Sequence, residues 1–190
     1  MLRLIAQDKF VEGRWRNGMG VSWEIASYRP EGAADFHWRF AKARIDADVP
    51  FSIYPGMERV FMQLEGNGLD LVFEGGHVLQ VHESHIPHSF ACDVPLNCKL
   101  LNGPCYDLNL FTARGKYQSQ ASVLKVNGME SLDLSGVEAV FMALEGKVVL
   151  SGPDGAVRLQ KGDAAIAAHE QVVSLAGNGA KVFVGLLQRG

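Results

Sequence analysis

An internal repeat constrains this chain more than any other feature. Residues 58–66 read Glu-Arg-Val-Phe-Met-Gln-Leu-Glu-Gly and residues 138–146 read Glu-Ala-Val-Phe-Met-Ala-Leu-Glu-Gly, so seven of nine positions agree at an offset of 80. The matches include Glu, Met and a Glu-Gly turn, which two unrelated strands of similar composition would not share. The same offset sets Leu79-Gln80 beside Leu159-Gln160. Self-similarity at a fixed period marks a duplicated unit, and 190 residues leave room for two copies.

The unit is built of strands. The chain holds 21 Gly and 7 Pro, many of them in turn signals such as Gly66-Asn67-Gly68, Gly75-Gly76, Asn127-Gly128, Pro153-Asp154-Gly155 and Gly177-Asn178-Gly179. Between the turns lie short runs rich in Val, Ile, Leu, Phe and Trp. Strands are expected at 20–28, 36–45, 59–64, 68–73, 77–82, 106–112, 121–126, 139–144, 146–151, 156–160, 164–168, 171–176 and 181–188. No window of a dozen residues carries a helical period. Short strands at this spacing form a sandwich or barrel. Antiparallel strands in a unit of this length fit a small jelly-roll barrel of the cupin type. The expected fold is therefore all-β, with two cupin-type jelly-roll barrels (a bicupin) spanning residues 1–118 and 119–190.

The two copies differ in chemistry. The first holds Trp15, Trp23, Trp38 and five of the six His, whereas the second holds only His169. A ligand cavity is accordingly expected in the first barrel, with the second as its packing partner. Hydrophobic residues make up 47% of the chain and net charge is -3, with no cluster of Lys or Arg, which argues against a nucleic-acid partner. The longest uninterrupted apolar run, Ala139 to Leu144, is too short to span a bilayer. The first ten residues lack the apolar region of a secretory leader. The three Cys (Cys92, Cys98, Cys105) form no CxxC pair and read as reduced thiols. A cytoplasmic protein with no membrane partner is expected, and edge strands leave room for a homodimer.

Metal-binding barrels of this type use two His at spacing two, because residues i and i+2 share one face of a strand. Here the spacing is three: His82, His85 and His88, with Pro87 interrupting the ladder. The segment reads as a loop or edge. If it curled, the three imidazoles would support an alternative, a metal-dependent cupin enzyme such as an oxygenase or isomerase. Arg39 shares a strand face with Ala41, Ala43 and Ile45 and is expected to point into the barrel, where a guanidinium needs an anionic ligand or an internal carboxylate from Glu24, Glu58 or Asp107. Asp107 and Asn109 share one face and Leu108 and Leu110 the other. Arg16 to Gly20 form a Gly-rich turn whose N–H groups can cradle an anion or simply close a hairpin. Ser22, Ser52 and Ser89 sit in no nucleophile motif.

Several stretches together resemble the HutD/Ves family. They are Trp15 to Gly20 with Ser22 and Glu24-Ile25, Trp38-Arg39 with Ala41 and Ala43, Phe51 to Gly56 with Arg59, Phe90 with Asp93, Gly103-Pro104, Asp107-Leu108-Asn109 and Arg114-Gly115. The resemblance implies a two-cupin fold without a typical metal motif. It also implies a non-enzymatic accessory or regulatory role in histidine utilisation, and a small carboxylate metabolite in the cavity, such as formylglutamate, formiminoglutamate or urocanate. Carried over by motif, the candidate pocket residues are Asn17, Gly18, Glu24, Arg39, Ser52, Arg59, Asp107 and Asn109. No catalytic residue, metal ligand or cofactor is assigned. Met19, Cys92 and Ala113 depart from the family pattern and bear on the identity of the ligand.

Overall fold

A computed structural model describes residues 1–168 and 171–190. His169 lies outside the described residues. The strands are β1 (Leu2–Ile5), β2 (Val11–Arg14), β3 (Val21–Tyr28), β4 (Trp38–Ile45), β5 (Val49–Pro50), β6 (Met57–Glu65), β7 (Leu69–Phe73), β8 (Val78–Val81) and β9 (His88–Ala91). They continue with β10 (Leu96–Leu100), β11 (Cys105–Ala113), β12 (Tyr117–Asp133), β13 (Val137–Glu145), β14 (Lys147–Gly152), β15 (Gly155–Gln160), β16 (Ala164–Ala167) and β17 (Val172–Arg189). The fold is all-β: helical structure among the described residues is one 3-10 turn, Gln7–Lys9. No helix in the described residues is long and apolar enough to cross a membrane.

The chain divides into two compact units, residues 11–116 and residues 1–10 with 117–190. The first ten residues were expected with the first barrel. They belong to the other unit because β1 pairs antiparallel with β16, with Leu2 facing Ala167 and Ile5 facing Ala164.

In the 11–116 unit one sheet runs β2-β3-β4-β11-β6-β9 and a second runs β5-β10-β7-β8. Ile45, Phe61, Leu69, Leu71, Val81, Leu96, Cys98 and Cys105 form a buried core there. In the other unit a single sheet runs β1-β16-β13-β17-β14-β15, with β12 paired to β17. Its core gathers Phe141, Val148, Leu150, Leu159, Val173, Leu175 and Val182 with several Ala.

The repeat occupies equivalent places. The nonapeptides lie on β6 and β13. β6 is flanked by β11 and β9, and β13 by β17 and β16. β7 is flanked by β8 and β10, and β14 by β15 and β17. Met62 faces Leu108, and its repeat mate Met142 faces Phe183. The Glu-Gly turn is the same device in both. Gly66 (φ 126°) and Gly146 (φ 70°) are in the left-handed region, where a side chain is strained. A Cβ on Gly66 would lie 2.5 Å from Cys105 Sγ, and one on Gly146 3.2 Å from Ala180 Cα.

Three details differ from the sequence reading. Asn127-Gly128 and Gly177-Asn178-Gly179 are not strand ends but a bulge inside two long strands. The β12–β17 register shifts after Val126, Asn127 faces Asn178, and the Gly179 N–H donates to Asn127 Oδ1 at 2.8 Å. Glycine lets the ladder bend there without breaking. Leu79 and Leu159 are not equivalent: Leu159 is fully buried on β15, as Val81 is on β8, while Leu79 is half-buried. β1, β2, β5, β9 and β10 were not foreseen, because each is short and carries polar or Pro residues.

Candidate functional site

The 11–116 unit contains a cavity lined by Trp15, Ser22, Arg39, Ala41, Ala43, Phe51, Ser52, Tyr54, Arg59, Asp107, Asn109 and Phe111. It holds about 420 Å³ of empty space with its mouth included, of which the centre of a water-sized sphere can occupy about 40 Å³. That is room for a few waters, or for one end of a small molecule whose remainder reaches the mouth.

Strand alternation builds this lining. Arg39, Ala41 and Ala43 project from one face of β4, and Asp107, Asn109 and Phe111 from one face of β11, in register: Ala43 faces Asp107, Ala41 faces Asn109 and Arg39 faces Phe111. On the other flank of β11, Arg59 of β6 also faces Phe111. The two alanines leave the space that larger side chains would fill. Asp107 and Asn109 are therefore not on a solvated face.

The two arginines are in opposite states. Arg39 donates from Nε to Glu24 Oε2 at 2.8 Å and from Nη2 to Ser22 Oγ at 3.2 Å. Of the internal carboxylates that could hold it, Glu24 does so. Arg59 is 6% exposed and forms no ion pair with a described residue. Its guanidinium packs on aromatic faces, 4.4 Å from the Phe111 ring centre, 5.0 Å from Phe51 and 5.6 Å from Phe90. Cation–π contact offsets part of the desolvation of a guanidinium, yet Arg59 Nε is buried without a hydrogen-bond partner.

Asp107 is 2% exposed and Asn109 is 5% exposed. Asn109 Nδ2 donates to Asp107 Oδ1. Asp107 Oδ2 and Asn109 Oδ1 are buried with no partner. Burial pushes the Asp107 carboxyl up to about 6, against the opposing pull of the Asn109 hydrogen bond and the Arg59 and Lys42 charges. Native structures rarely orphan buried polar atoms. Here three of them belong to residues lining one cavity.

The remaining candidates fall outside. Asn17 and Gly18 are exposed in the turn, where the Asn17 N–H donates to Ser52 Oγ at 3.2 Å and Asn17 Nδ2 to the Pro50 carbonyl at 2.8 Å. They support Ser52, which lines the cavity, without lining it themselves. Glu24 acts through Arg39. Met19 is 53% exposed and does not line the cavity. Cys92 is buried, its thiol pushed up by desolvation and pulled back by Arg59. Ala113 packs on the cluster of Phe36, Tyr54, Met57, Cys92 and Phe111. Phe51 and Tyr54, in the segment between β5 and β6, and Phe111 of β11 also line the cavity and were not assigned from sequence.

The three histidines do not converge. His82 Nε2 lies 2.8 Å from Asp70 Oδ1. The His85 N–H donates to the Gln63 carbonyl at 2.9 Å. His88 lies on β9, its imidazole pKa lowered by burial. No group of three or more His, Cys, Asp or Glu among the described residues is placed to hold a metal ion. The donor set needed by the metal-enzyme alternative is not assembled.

Comparisons with known proteins bear on family and fold. The protein called Ves from Citrobacter koseri is 37% identical over 57% of this chain, and a protein from Pseudomonas putida described as lying in the hutC 3' region is 30% identical over 63%. The matched segments span 56% and 62% of those relatives' lengths. Among solved structures, a conserved protein of unknown function from Pseudomonas aeruginosa PAO1 is 25% identical with a TM-score of 0.89, over 99% of both chains. HutD from Pseudomonas fluorescens SBW25 is 22% identical with a TM-score of 0.86, over 100% of both. A cupin 2 conserved barrel domain protein from Leptotrichia buccalis, 11% identical with a TM-score of 0.60 over 99% of this chain and 96% of that one, shares the fold. The HutD family model matches residues 7–184, and the chain belongs to that family.

Proposed function

We propose that this protein binds a small carboxylate metabolite in the cavity of its 11–116 unit and acts as a non-enzymatic accessory or regulatory protein of histidine utilisation. The observation that carries the reading is Arg59: a buried guanidinium on the cavity wall with no carboxylate of its own. A buried cation that no carboxylate contacts directly is costly, since the Asp107 charge reaches it only through space, and a carboxylate ligand matches its planar fork. Arg39 stands across β11 as a second cation, already committed to Glu24. Ser22, Ser52 and Asn109 supply further hydrogen-bonding groups. Family membership and the hutC-region relative support the metabolic setting. The matching strand pairing of the two copies supports reading each unit as a cupin-type barrel, a bicupin derived by duplication.

The test is a thermal-shift titration with formylglutamate, formiminoglutamate and urocanate. A ligand at one hundred times its Kd stabilises by about 2.7 kcal/mol, which raises Tm by several degrees in a chain of this size. Arg59→Ala should abolish the shift, and Arg39→Ala should reduce it. No shift with any of the three, or an equal shift in Arg59→Ala, overturns the reading.

A further inference from the structure

We propose that the site takes up one proton together with its anion: Asp107 becomes a neutral, hydrogen-bond-donating acid when a carboxylate occupies the space beside Arg59. The inference rests on the carboxylate reading above and adds a protonation requirement to it. When Asp107 is ionised, both orphaned oxygens, Asp107 Oδ2 and Asn109 Oδ1, are acceptors. An incoming carboxylate is also acceptor-only. Arg59 can neutralise one anion, and two carboxylates sharing one closed site cannot both stay charged. A proton on Asp107 Oδ2 resolves both conflicts. It removes the second negative charge, and it turns an orphaned acceptor into a donor aimed at the ligand. Oδ1 keeps the hydrogen bond from Asn109 Nδ2.

The surroundings leave this role to Asp107. From β6, Arg59 faces the cavity with it, while its direct strand neighbour is the uncharged Gln63. From β4, Arg39 is held by Glu24 of β3, and Lys42 sits with its Nζ 4.5 Å from the Tyr106 ring centre. Cys98 of β10 and Cys105 of β11 are buried thiols whose pKa values are raised by desolvation, so they stay neutral. Burial already brings the empty-site Asp107 to about 6, and a second anion pushes it further up.

The experiment is an NMR chemical-shift titration of the whole protein with formate, which stays ionised from about pH 5.5 to about pH 8. The expected Kd is flat below about pH 6 and weakens about tenfold per pH unit above it. Asp107→Asn, which keeps the Asn109 contact and cannot titrate, should bind formate with a flat profile. Because that variant can misfold, the carboxyl ¹³C shift of Asp107 is followed in the wild type, where saturating formate should raise its titration midpoint. A wild-type Kd independent of pH, an unmoved midpoint, or an unchanged pH slope in Asp107→Asn overturns the proton linkage while leaving carboxylate binding intact. Failure to bind formate at any pH overturns the linkage, and failure of the metabolite panel as well removes the carboxylate reading with it.

Discussion

The two units share a strand-pairing scheme and differ in what that scheme encloses. Where Asp107 faces Gln63, the repeat has Val182 facing Ala143. Asn109 facing Phe61 becomes Val184 facing Phe141, and Phe111 facing Arg59 becomes Leu186 facing Ala139. Arg59, Asp107 and Asn109, the polar groups that β6 and β11 turn toward the cavity, thus have the apolar counterparts Ala139, Val182 and Val184 in the other unit. The strand course differs too. β4 and β5, like β10 and β11, are separate strands in the hollow unit, whereas β12 and β17 run unbroken for 17 and 18 residues in the filled one. Backbone pairing alone therefore does not decide whether such a unit is a container or a packed body. A handful of inward positions does.

The largest test of that contrast is to put the hollow unit's charge into the filled one. Val182→Asp places a carboxylate where Val182 is fully buried among Phe141, Val148, Val173 and Leu175. The cluster around it is wholly apolar and offers no cation, so the cost should be about 4 kcal/mol or more by urea denaturation at neutral pH. A cost below about 1 kcal/mol would mean that the filled unit has a hollow of its own, and the contrast would fail.

The shared turn gives a second, smaller test. Gly66→Ala meets the Cys105 backbone, with Cα 2.9 Å from the new Cβ, at φ 126°. It should cost about 3 kcal/mol. Gly146→Ala meets Ala180 Cα at 3.2 Å and φ 70°, and should cost about half as much. Equal costs would show that the two turns are not packed differently after all. Chemical denaturation of the two variants measures this directly.

These contrasts also explain what could be read from the chain before its fold was known. The repeat was legible because Gly66 and Gly146 answer the same steric demand, and because the apolar strands on either side alternate. The inward face of β4 was legible for the same reason: period two puts Arg39 with Ala41 and Ala43. The partner of Arg39 was not, since Glu24 lies on another strand and register across strands is not written in local pattern. Arg59 entered only through family likeness. Nothing in Glu58-Arg59-Val60 tells a buried cation from a solvated one until Phe51, Phe90 and Phe111 are brought round it. Asn127-Gly128 misled for a definite reason: the same dipeptide serves a hairpin or a bulge, and only the partner strand decides.

A third test concerns the pH dependence of folding between about pH 4 and about pH 6, where the hollow unit carries the raised carboxyl of Asp107, while the lowered Asp133 and the raised Tyr117 of the other unit titrate outside that window. Asp107 is raised from 3.8 to about 6 on folding. A raised folded pKa gives stability that is fully present below the unfolded value and is lost as pH rises through the folded value. The empty wild type should therefore lose roughly 2–3 kcal/mol between about pH 4 and about pH 6 through this group. Asp107→Asn should flatten that part of the curve. If Asp107→Asn and wild type fall in parallel across this window in denaturant titrations, the carboxyl is not desolvated as its burial implies.

The smallest effect lies where the two units solve one surface position differently. Glu145 faces Lys181 across β13 and β17, and Lys181 Nζ donates to Glu145 Oε1 at 2.8 Å. The repeat mate Glu65 faces Tyr106 instead, whose ring carries Lys42 Nζ at 4.5 Å and lies 6.5 Å from Trp23. The ion pair is 32% and 46% exposed, so solvent screens it. Lys181→Ala should cost under about 1 kcal/mol, and most of that cost should vanish in about 1 M salt. Tyr106→Ala should cost more and keep its cost in salt, because it loses aromatic packing as well as charge contact. Equal salt sensitivity in the two variants would mean that the aromatic position is held by charge, and the distinction between the two surfaces would disappear.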